Sequence, residues 1–494
     1  MKVLSIDIGT TYIKSAIVEY AEDSGFLRIV SSIDIPQQAI VNDIVYEHSP
    51  NYVLNELVKI IKHYVKIYKK IDAVSLSSYL FSLIFVNRGR GPLTNIITWV
   101  DRRAEKILPE LLPYTKIIYE RTGCPLLPIY NLPKILYFAK YHPEILSSSD
   151  LVLDIKSLVT LYLSGEPVTD YSSASGSYQL LNIYNLRWDD HILTLAGIDE
   201  NKLPKLEEAD YRLELKPSIA KEVGLDTTIP LILGLYDGGS MIFGLTGGRE
   251  GVAVVNMGTS SMLRIVSRAC VIDRSEYMSI QTYYLYRGSW VPGIAWNNCG
   301  IVFEHLVKIF KLKLEDIINY LYKIKPQDYL KSSLPITIPL LYPERLMKLS
   351  FESGISILGI KAQHTVEDIV ASVIEGFILL LKYSDDILKN AGLDYDYVVG
   401  GGKILSIPLT QLLLATALNK ELFVSEFIDA THLGNTLIAL KALGILNSDG
   451  VVEISRKILK TSVKPVNELK ERLNFSYKIF KEYLTNIINY FKSP

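Results

Sequence analysis

Two short Gly-Thr turns, one in each half of the chain, contain residues suited to phosphate chemistry. They are Gly9-Thr10-Thr11 and Gly258-Thr259-Ser260. Glycine allows backbone N–H groups to approach an anion closely, and the threonine hydroxyls add hydrogen-bond donors. Asp7 stands just before the first turn, where a carboxylate can hold a hydrated Mg²⁺ beside a phosphate. The pair of turns therefore predicts a polyphosphate site, and two ordinary hairpins are the alternative.

A third glycine-rich segment, Gly400-Gly401-Gly402, lies between an expected strand and an expected helix. This arrangement allows the backbone to pass close to a base or ribose, while a helix N-terminus favours a phosphate. A plain strand-to-helix turn is the alternative. The segment is not GxGxxG, and the chain has no GxxxxGK[ST] pattern, so neither dinucleotide-binding nor Walker A signatures are present.

Two carboxylates follow apolar segments that read as buried strands. Asp237 follows the apolar run Ile229–Leu233, and Asp101 follows Trp99 at the end of another such run. Either carboxylate could accept a hydrogen bond from a substrate hydroxyl, and Trp99 could cover one face of a sugar ring. The alternatives are a turn-forming Asp237 and a surface ion pair at Asp101 beside a buried Trp99.

Several other classes of site are excluded by residue type and spacing. The three cysteines, Cys124, Cys270 and Cys299, are far apart and form no CxxC pair, which fits a reducing compartment. The seven histidines show no HxH or HExxH spacing, so a zinc site is not expected. No GxSxG nucleophile motif occurs.

Composition points to a globular cytoplasmic protein. The chain has 494 residues, with 52 Lys plus Arg against 53 Asp plus Glu, so it lacks the basic surplus of a nucleic-acid-binding surface. Apolar residues make up 49% and charged residues 21%, which excludes wholesale disorder. The N-terminal MKVLSIDIGTT does not read as a signal peptide, and apolar runs are too short to span a bilayer.

The two halves repeat the same order of expected elements. β-branched runs flank Gly9 and again flank Gly258, about half the chain apart, which predicts a distant internal duplication. Domains are therefore expected over residues 1–245 and 246–494. The other expected elements are a helix that begins at Ser49-Pro50, strands Ala73–Ser77 and Leu83–Val86, a helix of about Thr365 to Ala391, a strand Tyr397–Val399, a helix Pro408–Leu418, and an amphipathic final helix over Val466–Phe491.

Five ordered segments resemble the FGGY family of carbohydrate kinases: SIDIGTTYIKSAIVE, ITWVDRRAE, LGLYDGGSMIFGLTGG, VVNMGTSSML and GGGKILSIPLTQ. The resemblance covers about residues 3 to 445. It implies an α/β fold of two actin-like (ribonuclease-H-like) domains with a cleft between them, and transfer of phosphate from MgATP to a sugar or polyol. It also implies a homodimer that binds a small carbohydrate, while the charge balance and the short apolar runs predict neither a nucleic-acid nor a membrane partner.

Three further segments resemble the gluconate kinase and xylulokinase branch of that family: TGCPLLPIYNLPKI, DYSSASGSYQLLNIYNLRWDD and AWNNCG. This implies a substrate such as gluconate or xylulose. Glycerol kinase is the alternative, but those enzymes usually carry an Arg-Glu pair where this chain has Tyr79-Leu80.

The resemblance assigns roles to individual residues. Asp237 matches the general base, which also touches the substrate, and Asp7 matches the carboxylate linked to the metal. The remaining matches are Gly9, Thr10 and Thr11 in the first phosphate loop, Gly258 and Thr259 in the second, Gly401, Gly402 and Ser406 at the nucleotide, and Ser78, Phe81, Trp99, Asp101 and Asn297 at the sugar.

The chain departs from the family pattern at Phe81, which bears on the substrate, and around Glu344, which bears on the nucleotide side. Phe81 replaces a usual histidine, and the segment around Glu344 is shortened. A substrate carboxylate such as that of gluconate needs a cation, for which Lys14, Arg102 and Lys134 are candidates. Two other functions share part of the pattern: an actin-like ATPase, which needs no sugar, and a non-catalytic relative that only binds sugar.

Overall fold

The computed structural model describes residues 1–325, 329, 334–425, 427 and 429–492, and divides the chain into two compact units. Unit 1 comprises Met1–Gly248, Thr282–Trp290 and Phe427–Ile458. Unit 2 comprises Arg249–Gln281, Val291–Glu426 and Leu459–Pro494.

The strands of both units are numbered in chain order. In the first half they are β1 Lys2–Ile8, β2 Tyr12–Ala21, β3 Phe26–Pro36, β4 Ala39–Asn42, β5 Val45–His48, β6 Ala73–Ser78, β7 Ile84–Asn87, β8 Gly91–Pro92, β9 Ile96–Ile97, β10 Leu151–Leu153, β11 Val168–Asp170, β12 Leu181–Asn182, β13 Arg187–Trp188, β14 Lys205–Glu207, β15 Arg212–Leu213 and β16 Leu231–Ile232. In the second half they are β17 Val252–Met257, β18 Ser261–Ile265, β19 Gln281–Tyr284, β20 Trp290–Trp296, β21 Ile336–Leu340, β22 Gly354–Leu358, β23 Tyr397–Gly401, β24 Leu422–Ser425 and β25 Leu459–Val463.

The helices are named by their ranges. The α-helices are Pro50–Ile67, Leu108–Leu111, Thr115–Thr122, Asn131–Tyr141, Pro143–Ser148, Ile155–Ser164, Tyr171–Ser177, Asp190–Ala196, Pro217–Val223, Asp237–Thr246, Gly300–Ile309, Leu314–Lys323, Val366–Asn390, Pro408–Leu418, Ala430–Ala442, Ser448–Lys457 and Asn467–Lys492. The 3₁₀ segments are Arg103–Ile107, Leu112–Tyr114, Glu200–Lys202, Met347–Leu349 and Ile404–Ser406. Within the described residues, no helix is long and apolar enough to cross a membrane.

The main sheet of unit 1 has the strand order β15-β16-β6-β1-β2-β3. The β1 and β6 strands are parallel neighbours, and β1 pairs antiparallel with β2 across the predicted Gly9 turn. Their side chains are almost all buried because helices pack on the sheet, as expected for near-continuous apolar strands. The carboxyl ends of β1 and β6 meet at one edge, where Asp7 lies opposite Ser77.

Unit 2 repeats this arrangement. The consecutive neighbours β25-β24-β23-β17-β18-β20 correspond one for one to the strand order of unit 1. Parallel pairing of β17 with β23 matches that of β1 with β6, and antiparallel pairing of β17 with β18 matches that of β1 with β2. The repeated topology supports the internal duplication that the two Gly-Thr turns predict.

Helix boundaries follow from local capping. Ser49 accepts a hydrogen bond from the backbone N–H of Tyr52 ahead of the helix Pro50–Ile67, as predicted from Ser49-Pro50. Thr365 forms a capping box with Asp368 at the start of the long helix Val366–Asn390. The final helix buries an apolar stripe that includes Leu469, Leu473, Phe480, Leu484 and Ile488.

The units differ from a simple division of the chain at residue 245. The change from unit 1 to unit 2 after Gly248 lies close to that position, but Thr282–Trp290 and Phe427–Ile458 return to unit 1. Residues 246–494 are therefore not the same set as unit 2. The segment Thr282–Trp290 contacts the rest of unit 1 through a backbone hydrogen bond, in which the N–H of Thr282 donates to the carbonyl of Gly123.

The segment Phe427–Ile458 joins unit 1 through a close helix crossing. A Cβ atom at Gly434, in the helix Ala430–Ala442, would lie 1.8 Å from the carbonyl oxygen of Ser240. A Cβ atom at Gly244, in the helix Asp237–Thr246, would lie 2.5 Å from the carbonyl oxygen of Ala430. Only glycine permits this separation, because the neighbouring atoms are backbone atoms that cannot move aside.

We expect Gly434→Ala to destabilise unit 1 by about 1–3 kcal/mol or more, because the added methyl group overpacks the helix crossing. The melting temperature of the purified variant measures this effect. Gly450→Ala is the matched control, since a Cβ atom there would approach only the side chains of Leu446 and Asn447, at 3.2 and 3.3 Å. Equal melting temperatures for Gly434→Ala and the wild type would contradict the crossing geometry.

Candidate active site

Asp7 is a buried carboxylate at the carboxyl edge of the unit 1 sheet. Its side chain is only 6% exposed, and its Oδ1 accepts a hydrogen bond of 2.7 Å from the Ser77 hydroxyl. Lys14 is its register partner on β2, and the Lys14 ammonium lies 3.3 Å from Asp429 Oδ2. Asp7 therefore stands among charged groups drawn from three elements.

A buried amide connects Asp7 with the helix Ala430–Ala442. Asn435 Nδ2 donates to the hydroxyl oxygens of Ser77 and Ser5, at 2.9 and 3.0 Å. Asn435 Oδ1 accepts from Ser240 Oγ at 2.7 Å. Since Ser77 in turn donates to Asp7, the chain Asn435–Ser77–Asp7 fixes the direction of each hydrogen bond and hence the orientation of the carboxylate.

The ionisation of Asp7 is opposed by its surroundings. Burial raises its pKa to about 7, and the carboxylates of Asp237 and Asp429 contribute in the same direction. The Ser77 hydroxyl and Lys14 act against this increase. A cation placed beside Asp7 would favour the charged carboxylate, because an opposite charge nearby lowers a carboxyl pKa.

Asp237 is the first residue of the helix Asp237–Thr246 and is half-buried. The preceding residue, Tyr236, forms a parallel bridge with Ser78 at the end of β6, which places Asp237 at the same sheet edge as Asp7. Gly238 and Gly239 belong to the helix, where Cβ atoms would lie 2.9 and 2.8 Å from the Tyr236 ring. The residues from Asp237 to Gly239 therefore form the first turn of a packed helix.

The first phosphate loop is joined to the predicted sugar residue Trp99. Gly9 donates its N–H to the Tyr12 carbonyl at 2.9 Å, which closes the turn. Trp99 Nε1 donates to Thr10 Oγ1 at 3.0 Å, and Thr11 is exposed. The hydrogen bond holds the indole against the turn, so the predicted sugar site and the predicted phosphate site are adjacent.

Asp101 is engaged by protein groups. Its carboxylate is paired with the Arg103 guanidinium at 2.8 Å and accepts the N–H of Tyr46 at 3.1 Å. Arg103 also contacts Glu47, at 2.5 Å. The ion-pair alternative for Asp101 is therefore what the structure shows, although Asp101 is buried and Arg103 is half-buried, so the pair is not a surface pair.

Ser78 is the last residue of β6 and Phe81 lies in the loop that follows, and both are buried. Phe81 adopts φ +66°, in the left-handed region that bulky side chains rarely enter. Its ring meets the ring of Tyr130 edge to face, with the centroids 5.2 Å apart. The aromatic ring thus occupies a packed position where the family usually has histidine.

In unit 2 the second phosphate loop is linked to the start of a helix. The N–H groups of Gly300 and Ile301 donate to the carbonyls of Gly258 and Thr259, at 2.9 and 3.2 Å. Thr259 is exposed. The nearest atoms to a Cβ at Gly258 would be 4.0 Å away, so the backbone of the turn is open on that side.

The predicted nucleotide glycines lie beside that turn. Gly401 pairs in register with Asn256 on β17, and a Cβ atom at Gly401 would meet nothing within 4 Å. Gly402 has φ +101°, and a Cβ atom there would lie 2.4 Å from the Met257 carbonyl oxygen. Ser406 is exposed and donates to the Lys403 carbonyl at 2.7 Å. The open backbone at Gly258 and Gly401 fits the close approach of a nucleotide phosphate or ribose.

Asn297 belongs to unit 2 and is held by the segment that departs from the family pattern. Its Nδ2 donates to the Pro343 carbonyl at 2.8 Å, its Oδ1 accepts from Arg345 Nε at 2.8 Å, and its N–H donates to Glu344 Oε2 at 2.5 Å. Burial raises the pKa of Glu344 to about 7. The shortened segment therefore retains a structural role around Asn297.

Asp7 and the carboxylates near it fit a hydrated divalent cation better than a metal ion bound by protein ligands alone. Within the described residues, no group of three or more His, Cys, Asp or Glu side chains is placed to hold a metal. Mg²⁺ usually needs only one or two carboxylates, because water and phosphate oxygens complete its shell. Asp7, whose pKa is raised partly by neighbouring carboxylates, meets this requirement.

All three candidate cations for a substrate carboxylate have protein partners. Lys14 contacts Asp429, Arg102 contacts Glu105 at 2.7 Å, and Lys134 donates to two backbone carbonyls. Burial lowers the pKa of Lys134 to about 7, with Asp101 opposing the decrease. A substrate carboxylate would compete with each of these partners.

Two residues of this site are not found from the sequence, Ser77 and Asn435, which are ordinary polar residues in apolar segments. A polar residue inside an otherwise apolar run is a weak signal for a buried hydrogen bond, and their shared function emerges only from contacts across the chain.

Comparisons with known proteins match both halves of the chain to one family. Residues 2–244 match the N-terminal domain of the FGGY family of carbohydrate kinases, and residues 253–443 match its C-terminal domain. The gluconokinase of Bacillus subtilis (strain 168) is 28% identical over 463 residues, which cover 90% of this chain and 88% of that protein. The xylulose kinase of Lactococcus lactis subsp. lactis (strain IL1403) is 25% identical over 507 residues, covering 98% and 96%. The crystal structure of gluconate kinase from Lactobacillus acidophilus has a TM-score of 0.90 at 24% identity and covers 99% of this chain and 98% of that chain.

The chain belongs to the FGGY family of carbohydrate kinases, since the two matched domains account for most of its length. It is a carbohydrate kinase, a phosphotransferase that acts on an alcohol group. The predicted α/β class and the two actin-like, ribonuclease-H-like domains are confirmed by the repeated sheets and the similar structure. The alternatives of a sugar-independent ATPase and of a non-catalytic relative have less support.

We expect Ser77→Ala to lower kcat by about tenfold, because a hydrogen bond to a charged group contributes about 1.5–3 kcal/mol and about 1.4 kcal/mol is a factor of ten. Steady-state kinetics with the preferred sugar measures this effect. Ser15→Ala is the matched control, since Ser15 is equally buried in the same sheet but donates to the Ile33 carbonyl. A kcat within twofold of the wild type would show that Ser77 does not orient Asp7 for the reaction.

Proposed function

We propose that this kinase transfers the γ-phosphoryl group of ATP, with Mg²⁺, to a hydroxyl of a small polyhydroxy substrate such as gluconate or xylulose. The observation that carries this proposal is the position of Asp7 and Asp237 at one edge of the unit 1 sheet, close enough for Asp237 to raise the pKa of Asp7. Phosphoryl transfer depends mainly on positioning and on stabilising charge, and the site supplies groups for both.

The two carboxylates have different proposed tasks. Asp237 accepts the proton of the attacking substrate hydroxyl, since it is half-buried and starts a helix beside Ser78. Asp7 holds the hydrated Mg²⁺, and its orientation is set by Ser77 and Asn435. When bound, Mg²⁺ neutralises charge on the phosphate oxygens.

The remaining residues bind the two substrates. In unit 1, Gly9, Thr10 and Thr11 contact the transferred phosphate, while Ser78, Phe81, Trp99 and Asp101 define the sugar site. In unit 2, the proposed roles are phosphate binding by Gly258 and Thr259, nucleotide binding by Gly401, Gly402 and Ser406, and a substrate contact by Asn297. Asp101 acts by holding its loop through Arg103, because its carboxylate is already paired.

Two observations bear on the class of the sugar substrate, and they favour different classes. The 28% identity with a gluconokinase favours an aldonate. The partners of Lys14, Arg102 and Lys134 favour an uncharged ketose, since no cation of this set is left for a carboxylate. Glycerol has less support, because both full-length relatives named above are kinases of larger substrates.

A substrate panel tests the function. ADP release is coupled to a detectable reaction with ATP, Mg²⁺ and, in turn, gluconate, xylulose, other aldonates and ketoses, and glycerol. We expect release to depend on a five- or six-carbon substrate and to be slow without one. Equal release with and without every compound would contradict the proposal, and a preference for glycerol would contradict the substrate class.

The role of Asp237 has its own test. We expect Asp237→Asn to lose at least about a hundredfold in kcat, because a positioned base is typically worth about 10²–10⁴ in rate. ATP binding, measured by calorimetry, is expected to persist. Asp189→Asn is the control, since Asp189 caps another helix of unit 1 and asparagine caps equally well. Turnover near that of the wild type would remove Asp237 from the mechanism.

The homodimer implied by the family resemblance remains an expectation. Light scattering of the purified protein gives the mass of the assembly directly and decides between one and two copies.

A further inference from the structure

Lys134 is a buried lysine that the proposed reaction does not use. It lies in the helix Asn131–Tyr141, and its side chain is 2% exposed. Its ammonium donates to the carbonyl oxygen of Phe81 at 2.5 Å and to that of Thr98 at 2.9 Å. Burying an ammonium is costly, so two carbonyl partners at short distance are what makes this position tolerable.

The two carbonyls belong to the two segments that carry the proposed sugar residues of unit 1. Phe81 lies in the loop that follows Ser78, and Thr98 directly precedes Trp99. The backbones of these segments meet at an antiparallel bridge, where Leu83 and Ile97 exchange N–H to carbonyl hydrogen bonds of 2.9 and 2.8 Å. Lys134 adds a second link beside this bridge, between Phe81 and Thr98. The separation of the segments at that end, where Trp99 follows, therefore depends on Lys134.

The Phe81 loop also contains stored backbone strain. A phenylalanine at φ +66° is unfavourable and persists only where the surroundings determine the conformation. The N–H of Phe81 donates to Ser177 Oγ at 2.7 Å, and the carbonyl of the next residue, Ser82, accepts from Asn131 Nδ2 at 2.9 Å. Lys134 supplies a third hydrogen bond, to the carbonyl oxygen of the strained residue Phe81.

We propose that Lys134 is a positioning residue for the sugar: by binding the carbonyls of Phe81 and Thr98, it holds the Phe81 loop and the Trp99 segment at the separation that the substrate requires. This inference rests on the proposed function only in taking those two segments as the sugar site. It assigns Lys134 no contact with the substrate and no part in proton transfer.

Removal of the ammonium leaves two buried carbonyls without their donor. The Phe81 loop then leaves the left-handed conformation more readily, because one of the three hydrogen bonds that hold it is lost and only those with Ser177 and Asn131 remain. Sugar binding should weaken, since part of its free energy must then restore the loop, while ATP binding should not change. A selective increase in the KM for sugar is the signature that general destabilisation does not produce.

The test compares Lys134→Met, Lys134→Arg and the wild type with the best substrate of the panel. For Lys134→Met we expect the KM for sugar to rise at least tenfold, with the KM for ATP within twofold and kcat reduced much less than in Asp237→Asn. Lys134→Arg retains N–H donors and should recover part of the sugar affinity. Calorimetry of sugar binding without ATP should show the same order of affinities.

Leu57→Ala is the control for loss of stability. Leu57 is fully buried in the helix Pro50–Ile67 and has no part in the proposed sugar site, and such a substitution typically costs about 2–5 kcal/mol. The inference is overturned if Lys134→Met raises the KM for sugar no more than Leu57→Ala does, or raises both KM values equally. If Lys134→Met does not fold, Lys134→Gln, which keeps a shorter N–H donor, is judged by the same comparison.

Failure of the two proposals is distinguishable. If the wild type shows no sugar-dependent turnover and binds no sugar, the proposed function fails. If the wild type phosphorylates a sugar and the lysine variants bind it as the control does, only the role of Lys134 fails.

Discussion

The burial of one carboxylate is the constraint on which unit 1 depends. Asp7 stands at the end of a parallel strand, where water is largely excluded, and its ionised form must be stabilised by donors and nearby positive charge. Ser77 provides the donor from the neighbouring strand, and Asn435 orients Ser77 from a helix that is remote in the chain. That helix approaches closely only because Gly244 and Gly434 lack side chains at the crossing. A packing feature thus determines the geometry of a polar site.

Regular elements were predictable from the sequence because their signals are local. Apolar periodicity and the caps at Ser49 and Thr365 define helices without reference to the rest of the chain. The repeated Gly-Thr turns likewise predicted the pairing of β1 with β2 and of β17 with β18. In each case the interacting residues are close in sequence, or the same pattern occurs twice.

The assignment of segments to units and the details of the site could not be obtained in this way. Nothing in the composition of residues 427–458 indicates that they pack with the first half of the chain, because that choice depends on a helix crossing between distant glycines. Lys134 reads as an available cation until its two carbonyl partners are known. For Asp101 the sequence leaves a substrate contact and an ion pair open, and only the structure shows the pair with Arg103. The role of a buried polar residue depends on its hydrogen-bond and ion-pair partners, which a single sequence does not reveal.

The duplicated topology places different residues at equivalent positions of the two units. Asp7 stands two residues before the first turn glycine, and Asn256 stands two residues before the second. In register, Asp7 faces Ser77 and Lys14, whereas Asn256 faces Gly401 and Met262. The same backbone frame therefore places charged and hydroxyl groups at the edge of one sheet, and an amide with open glycine backbone at the edge of the other. A carboxylate at this position suits the proposed cation, and open backbone suits the proposed nucleotide, so the proposed division of labour corresponds to different residues at equivalent positions on a repeated scaffold.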